Sequence, residues 1–354
     1  MLNIGIRVDG SANIGMGHIM RCLSLAKGFR NAGANVYFLS RFEQGISRIR
    51  QDNFEVLEMP YRKSRNSGGF FYGDASELEE DAEEIICRIR AFNLDVLIID
   101  SYNVSREFFL KLKPHIRKLC YIDDLNKFVY PVDVLINGNI TAPALNYAKY
   151  SDDELMLLGL KYNLIRDEFK NLPERIINRD VREIMITTGG SDPFNLTLRL
   201  ANAILPEEEF KDVRINIVVG SGFTNADKLR ELSERNPNVV LHENVLRMSE
   251  VMLKSDVAIS AGGSTLYELC ACGTPALAVV IADNQREMVD MLSSEGYIIS
   301  LGWHEELDDR ELLRKVKSLC GDYEKRVLFS RKMQKLVDGE GVKRVVEEIM
   351  KITS

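Results

Sequence analysis

Short apolar runs alternate with amphipathic helical stretches along this chain, and they do so in two successive series. NIGIRV precedes a helical pattern over 18–32, NVYFLS one over 43–52 and DVLIID one over 105–113, while KLCYIDD and VLIN close the first series. Runs that are apolar on both faces suit buried parallel strands, and the stretches between them suit the crossover helices. A second series begins near residue 181: EIMITTGG with a helix over 195–204, RINIVVGSG with 224–235, VVLHENV with 248–254 and DVAISAGG with 264–272. ALAVVIADNQ follows, and helices run from there to the end. The pattern predicts an α/β chain of two Rossmann-like, doubly wound domains, residues 1–165 and 166–354, facing a central cleft. The last helix is free to pack back on the first domain. The stretch 160–180, with Pro173 and several charges, reads as the connection, 60–75 as a surface loop and 77–91 as a long charged helix.

Two domains also suit the length, since 354 residues exceed the roughly 150 expected of one core. The formal net charge of −7 argues against a basic face for nucleic acid or an anionic membrane, so any anionic ligand must be held locally. No apolar run approaches the roughly 20 residues of a spanning helix, and MLNIGIRVDG has no basic or apolar leader region. The six cysteines are scattered, several in apolar segments, as in a reducing compartment. Cys270 and Cys272 lack the spacing of a zinc pair. A cytoplasmic protein is expected, with a monomer as the default.

Three strand-to-helix turns are glycine-rich: Gly15-Met16-Gly17-His18, Gly189-Gly190-Ser191-Asp192 and Gly262-Gly263-Ser264-Thr265. Glycine lets a backbone approach a phosphate, and the helix behind it offers unpaired N–H groups and a positive dipole end. Each turn alone could be a plain tight turn, but three at like junctions favour anion binding. None continues as Gly-Lys-Ser/Thr, and the first loop is too long for a dinucleotide fingerprint. Ser264 and Thr265 cap their helix, contact phosphate, or do both.

The first turn delivers His18, one of only four histidines, to a helix start. It is either a helix-start residue bonded to the loop or a general base. Arg21, one turn on, pairs with Asp9 or assists a diphosphate. Asp100, Tyr102 and Asp123 fall at strand ends, where they orient His18, bind sugar, or serve as turn and cap residues. The pair Asp123-Asp124 is not taken as a metal site, and neither metal nor cofactor is expected.

GxGHxxRC at 15–22, DSY at 100–102, IDD at 122–124, GGSDPFNLT at 189–197 and AGGSTLYELCACGTPALAVV followed by DNQ resemble a family over nearly the whole chain. That family is the UDP-sugar hydrolases of pseudaminic acid biosynthesis with their spore-coat polysaccharide relatives, itself similar to the GT-B glycosyltransferases. The resemblance implies two Rossmann-like domains with UDP held mainly by the second. It makes His18 the catalytic base and points to the Val245 backbone for uracil, Glu268 for the ribose hydroxyls, and Asn284 and Gln285 for donor sugar and phosphates. Glu268 would otherwise be a solvated helical residue, and Asn284-Gln285 turn residues. Gly15, Gly17, Arg21, Asp100, Tyr102, Gly190, Ser191, Asn195, Gly263, Ser264 and Thr265 complete the expected contacts with a UDP-amino sugar. The implied reaction is metal-independent cleavage of the anomeric C–O bond of a UDP-linked deoxy amino sugar by water, with inversion. Its rivals are a glycosyltransferase using the same donor, with a sugar or lipid acceptor, and a non-catalytic nucleotide-sugar-binding protein.

Overall fold

The computed structural model describes residues 1–11, 14–60, 75–220 and 222–353; most of the loop expected at 60–75 lies outside them. The chain divides into two compact units, one of residues 1–166 and 340–354, the other of 167–339.

In the first unit the elements run β1 (Asn3–Val8), α1 (Gly17–Asn31), β2 (Asn35–Ser40), α2 (Glu43–Gln51), β3 (Glu55–Glu58), α3 (Ala75–Ala91), β4 (Val96–Asp100), α4 (Arg106–Leu112), β5 (Lys118–Ile122), β6 (Val134–Asn137) and β7 (Leu155–Leu158). The strands form one parallel sheet in the order β3-β2-β1-β4-β5-β6-β7. Consecutive residues of a strand serve opposite faces. Ile98 joins a core with Ile19, Leu23 and Phe29 of α1, whereas Ile99 joins one with Ile85 and Ile89 of α3 and Phe109 of α4. This is the double winding that continuous apolar runs dictate.

The second unit contains β8 (Glu183–Thr187), α5 (Leu196–Ile204), β9 (Arg214–Val219), α6 (Ala226–Arg235), β10 (Val239–Glu243), α7 (Met248–Lys254), β11 (Val257–Ala261), α8 (Thr265–Cys272), β12 (Ala276–Val280), α9 (Asp283–Ser294), β13 (Ile299–Trp303), α10 (Asp309–Gly321) and α11 (Tyr323–Leu336). Its sheet is also parallel, ordered β10-β9-β8-β11-β12-β13. The order reverses between β1 and β4 in one sheet and between β8 and β11 in the other. Ligands of open α/β sheets bind outside the strand ends at such points.

The final helix, α12 (Gly341–Thr353), belongs to the first unit. Val342, Val345, Val346 and Ile349 enter the α1 side of its core. Close approach makes two glycines necessary here: a Cβ on Gly28 of α1 would lie 2.8 Å from Val342, and one on Gly341 would lie 2.1 Å from the carbonyl oxygen of Asn163. Gly341→Ala is therefore expected to destabilise the protein by about 1–3 kcal/mol, as overpacking against backbone does. Urea denaturation followed by circular dichroism measures it.

Two expectations need correction. The segment after ALAVVIADNQ is not wholly helical, because β13 forms the sheet edge there, and β3 and β7 form two further edges. The helix expected over 105–113 ends at Leu112. Ser105 caps its start, accepting from the Phe108 N–H at 3.2 Å, and the chain tightens into a 3-10 turn over Lys113–His115 around Pro114. Among the described residues no helix is long and apolar enough to cross a membrane. All six cysteines are free, and Cys22, Cys120, Cys270 and Cys272 are buried.

Candidate active site

The turn between β1 and α1 is built for close approach. Gly10 packs on the helix, where a Cβ would lie 2.4 Å from Ile19, and Gly15 takes φ of +84°. Gly17 has no such need: a side chain there would meet open space. It leaves the start of α1 uncovered, with no side-chain cap and no acidic residue in the first turn.

His18 sits in that first turn, and its Nδ1 lies 2.6 Å from Oδ1 of Asp100 at the end of β4. Asp100 is fully buried. Burial alone would push its carboxyl up, but Arg21 and His18 outweigh it and hold the group well below the usual carboxylate range. A carboxylate only accepts, so Nδ1, which also lies 3.1 Å from Arg21 Nη2, carries the proton and donates to Asp100, and in the neutral ring the lone pair is then on Nε2. Among the described residues Nε2 has no hydrogen-bond partner. The ring of Tyr102 stands edge-on to the imidazole, 4.9 Å away.

Arg21 does not pair with Asp9. Its Nε and Nη2 both donate to Asp100 at 2.7 Å, and Nη1 donates to Asp124 at 2.9 and 3.1 Å. Burial acts to lower the Arg21 guanidinium, yet the two carboxylates keep it well above its ordinary value. Asp9 instead lies between Arg7, at 2.7 Å, and Arg41. Cys22 donates from Sγ to Asp100 at 3.3 Å; burial and that carboxylate push its thiol well up, so it remains protonated and is no nucleophile.

Asp123 and Asp124 do not act as a pair. Asp123 is turned inward, accepting from the N–H groups of Leu125 and Asn126 and from the hydroxyls of Tyr130 and Tyr147. It closes a turn rather than facing His18. Asp124 joins the cluster, accepting from Arg21, from the Tyr102 hydroxyl at 2.7 Å and from Asn139 Nδ2 at 2.7 Å. The chain ends of β1, β4, β5 and β6 thus converge on one network, to which Asn139 and Asp124 are additions. The sequence signal for Asp124 was its place two residues past an apolar strand; nothing marked Asn139.

The two glycine turns of the second unit prove unequal. Asp192 is buried and accepts from the N–H groups of Leu196 and Thr197, at 2.8 and 2.9 Å. Its carboxylate already occupies the start of α5, so an anion there would meet a like charge. The expectation of an open helix end behind Gly190 and Ser191 does not hold. Asn195 takes a left-handed conformation, φ 53°, and accepts from Asn225 at 2.9 Å; the Gly190 carbonyl accepts from the Gly222 N–H.

The α8 turn is open. Gly262 is forced by Val289, 2.5 Å from where a Cβ would stand, whereas Gly263 has only Gln285 Nε2 nearby, at 3.9 Å. Ser264 makes no side-chain cap, and the N–H groups of Gly263, Ser264 and Thr265 donate to no described residue. Glu268 lies in the first turn behind them. Gln285, near the start of α9, accepts from the Ile281 N–H at 3.0 Å and lies over Gly262. Asn284 precedes it in the same turn. The structure thereby gathers Gly263, Ser264, Thr265 and Gln285 beyond β11 and β12. Val245 lies between β10 and α7, lining a cavity of about 560 Å³ with His242 and Lys254.

Comparison with known proteins fits this architecture. Residues 184–348 match the model of the glycosyltransferase family 28 C-terminal domain. Across 99% of this chain and 100% of the other, the crystal structure of Acinetobacter baumannii MurG superposes with a TM-score of 0.69 at 15% identity. The chain has a GT-B-like fold.

Its sequence relatives include a spore coat polysaccharide biosynthesis protein, SpsG, of Bacillus subtilis, 25% identical over 97% of this chain and 96% of the relative. A UDP-2,4-diacetamido-2,4,6-trideoxy-beta-L-altropyranose hydrolase of Campylobacter jejuni is 28% identical over 84% of this GT-B-like chain and 98% of its own length. An uncharacterized protein of Methanocaldococcus jannaschii is 30% identical over 82% of this chain, which spans 58% of that longer relative. The chain resembles the altropyranose hydrolase and the spore-coat protein in sequence.

Proposed function

We propose that this GT-B-like protein is a metal-independent hydrolase. It cleaves the anomeric C–O bond of a UDP-linked deoxy amino sugar of the 2,4-diacetamido-2,4,6-trideoxyhexose type, with inversion, in the biosynthesis of a nonulosonic acid or surface polysaccharide. The observation that carries the reading is His18, whose Nδ1 is fixed on buried Asp100 while Nε2 has no partner among the described residues. UDP is already a good leaving group, so the protein must stabilise diphosphate charge and activate water. The N–H groups of the α8 turn, which donate to no described residue, supply the first, since helix-end donors neutralise developing charge without a cation. His18 supplies the second. Its Nε2 takes a proton from water as the oxygen bonds to the anomeric carbon, and the C–O bond electrons leave with UDP. The approach of water opposite the leaving group inverts the centre.

A glycosyltransferase of the same donor class is a second reading, favoured by the family 28 match over residues 184–348. One assay separates the two: UDP-amino sugars are incubated without acceptor, with and without EDTA, and products are followed by mass spectrometry and by NMR of the anomeric proton. Free sugar of inverted configuration plus UDP, unaffected by EDTA, is expected. Turnover only when an acceptor is added would replace hydrolysis by transfer, and intact substrate throughout would reduce the protein to a nucleotide-sugar binder.

A further inference from the structure

In a simple His–Asp pair the carboxylate balances the positive charge that the imidazole acquires when it takes a proton. Here that carboxylate is already matched. Asp100 is held by the Arg21 fork through two hydrogen bonds of 2.7 Å, so the two side chains together carry no net charge. Asp124 changes the balance. Lying on the other side of the guanidinium at 2.9 Å, it sets one cation against two carboxylates, so that among the described residues Arg21, Asp100 and Asp124 together carry a net negative charge.

We propose that Asp124 is a positioning residue that acts through Arg21. It holds the guanidinium on Asp100 and supplies the negative charge that the Arg21–Asp100 pair cancels, so that the imidazolium formed at His18 is compensated. The inference rests on the reading of His18 as the base. The neighbours of the imidazole among the described residues are few. Its own helix contributes Arg21, the uncharged Cys22 thiol and the positive dipole end, which opposes protonation. β4 and the loop after it contribute Asp100 and Tyr102. Asp123 directs its carboxylate to two backbone N–H groups and two tyrosine hydroxyls, away from Arg21. Among the described residues Asp124 therefore leaves the cluster with one carboxylate more than its single guanidinium balances.

The test is an NMR titration of the His18 imidazole without substrate, its signal assigned by loss in His18→Asn, in wild type, Asp124→Asn and Asn139→Ala. The pH profile of kcat/KM is measured alongside. In Asp124→Asn the titration midpoint and the acid limb should both move down by roughly one pH unit, the effect of removing one nearby negative charge. Plateau turnover should fall by roughly tenfold, as for a weakened base. Asn139→Ala removes a 2.7 Å hydrogen bond to Asp124 but keeps the charge, and should leave the midpoint in place. If Asp124→Asn does not fold, Asp124→Ser, with room for water against Arg21, is put through the same titration. An unchanged midpoint in a folded variant overturns the inference, and so does an equal shift in Asn139→Ala, which would mean a structural role. Full activity in His18→Asn would instead overturn the reading of His18 as base and leave the measured coupling standing.

Discussion

Replacing His18 with leucine should lower turnover by roughly a hundredfold or more, the usual worth of general base catalysis, with UDP affinity little changed. The expectation follows from what the side chain lacks. Its Nδ1 is committed to a buried carboxylate and its Nε2 to nothing among the described residues, an arrangement that fixes the ring and leaves one lone pair for a proton. A histidine kept only to start a helix would need neither. Leucine preserves bulk against Tyr102 but accepts no proton. Steady-state kinetics should show the loss in kcat, with KM nearly constant, because the base acts on water in the transition state and not on the bound nucleotide. Near-normal turnover by a folded His18→Leu protein would remove the catalytic assignment.

How much of this was legible in the sequence depended on burial. Central strands such as DVLIID and ALAVV are apolar on both faces and announced themselves. The strands that escaped, β3, β7 and β13, all lie at sheet edges, where one side meets solvent and the apolar run shortens or breaks. Gly302 in β13, with φ of +85°, interrupts the pattern further. At the candidate site, His18 and Asp100 could be named because a turn motif and a strand end mark them. Their partnership could not, since the residues are 82 positions apart and meet only through the parallel pairing of β1 with β4. The same limit hid the pairing of Arg21 with Asp124.

The glycine turns show the difference between a motif and its environment. All three read alike as sequence, yet Asp192 folds back onto the α5 start while no side chain caps α1 or α8. A carboxylate two residues after the second glycine is a capping signal. Gly17 and Gly263 also stand apart, having neither a positive φ nor a neighbour that would exclude a methyl group. Their lack of a side chain serves no packing need of their own turns, which suits close approach by a ligand.

Glu268→Ala should weaken UDP binding by about 1.5–3 kcal/mol, the range for a lost hydrogen bond to a charged group, or roughly a 10- to 100-fold rise in Kd. The argument starts from the α8 turn, where the N–H groups of Gly263, Ser264 and Thr265 donate to no described residue and are available as donors to an anion. Gln285 lies against the same turn. A diphosphate held there leaves its nucleoside about one helical turn away, and Glu268 is the acidic residue of that turn. A carboxylate accepts from two vicinal hydroxyls at once, which a ribose offers. Removing it should therefore cost binding without touching the chemical step. His18→Asn makes the opposite variant, with affinity kept and turnover lost. Calorimetric titration of UDP into wild type, Glu268→Ala and His18→Asn separates the two roles. Equal affinity in all three would exclude Glu268 from the nucleotide site and would leave the α8 turn without the nucleoside contact that makes it specific for UDP rather than for any diphosphate.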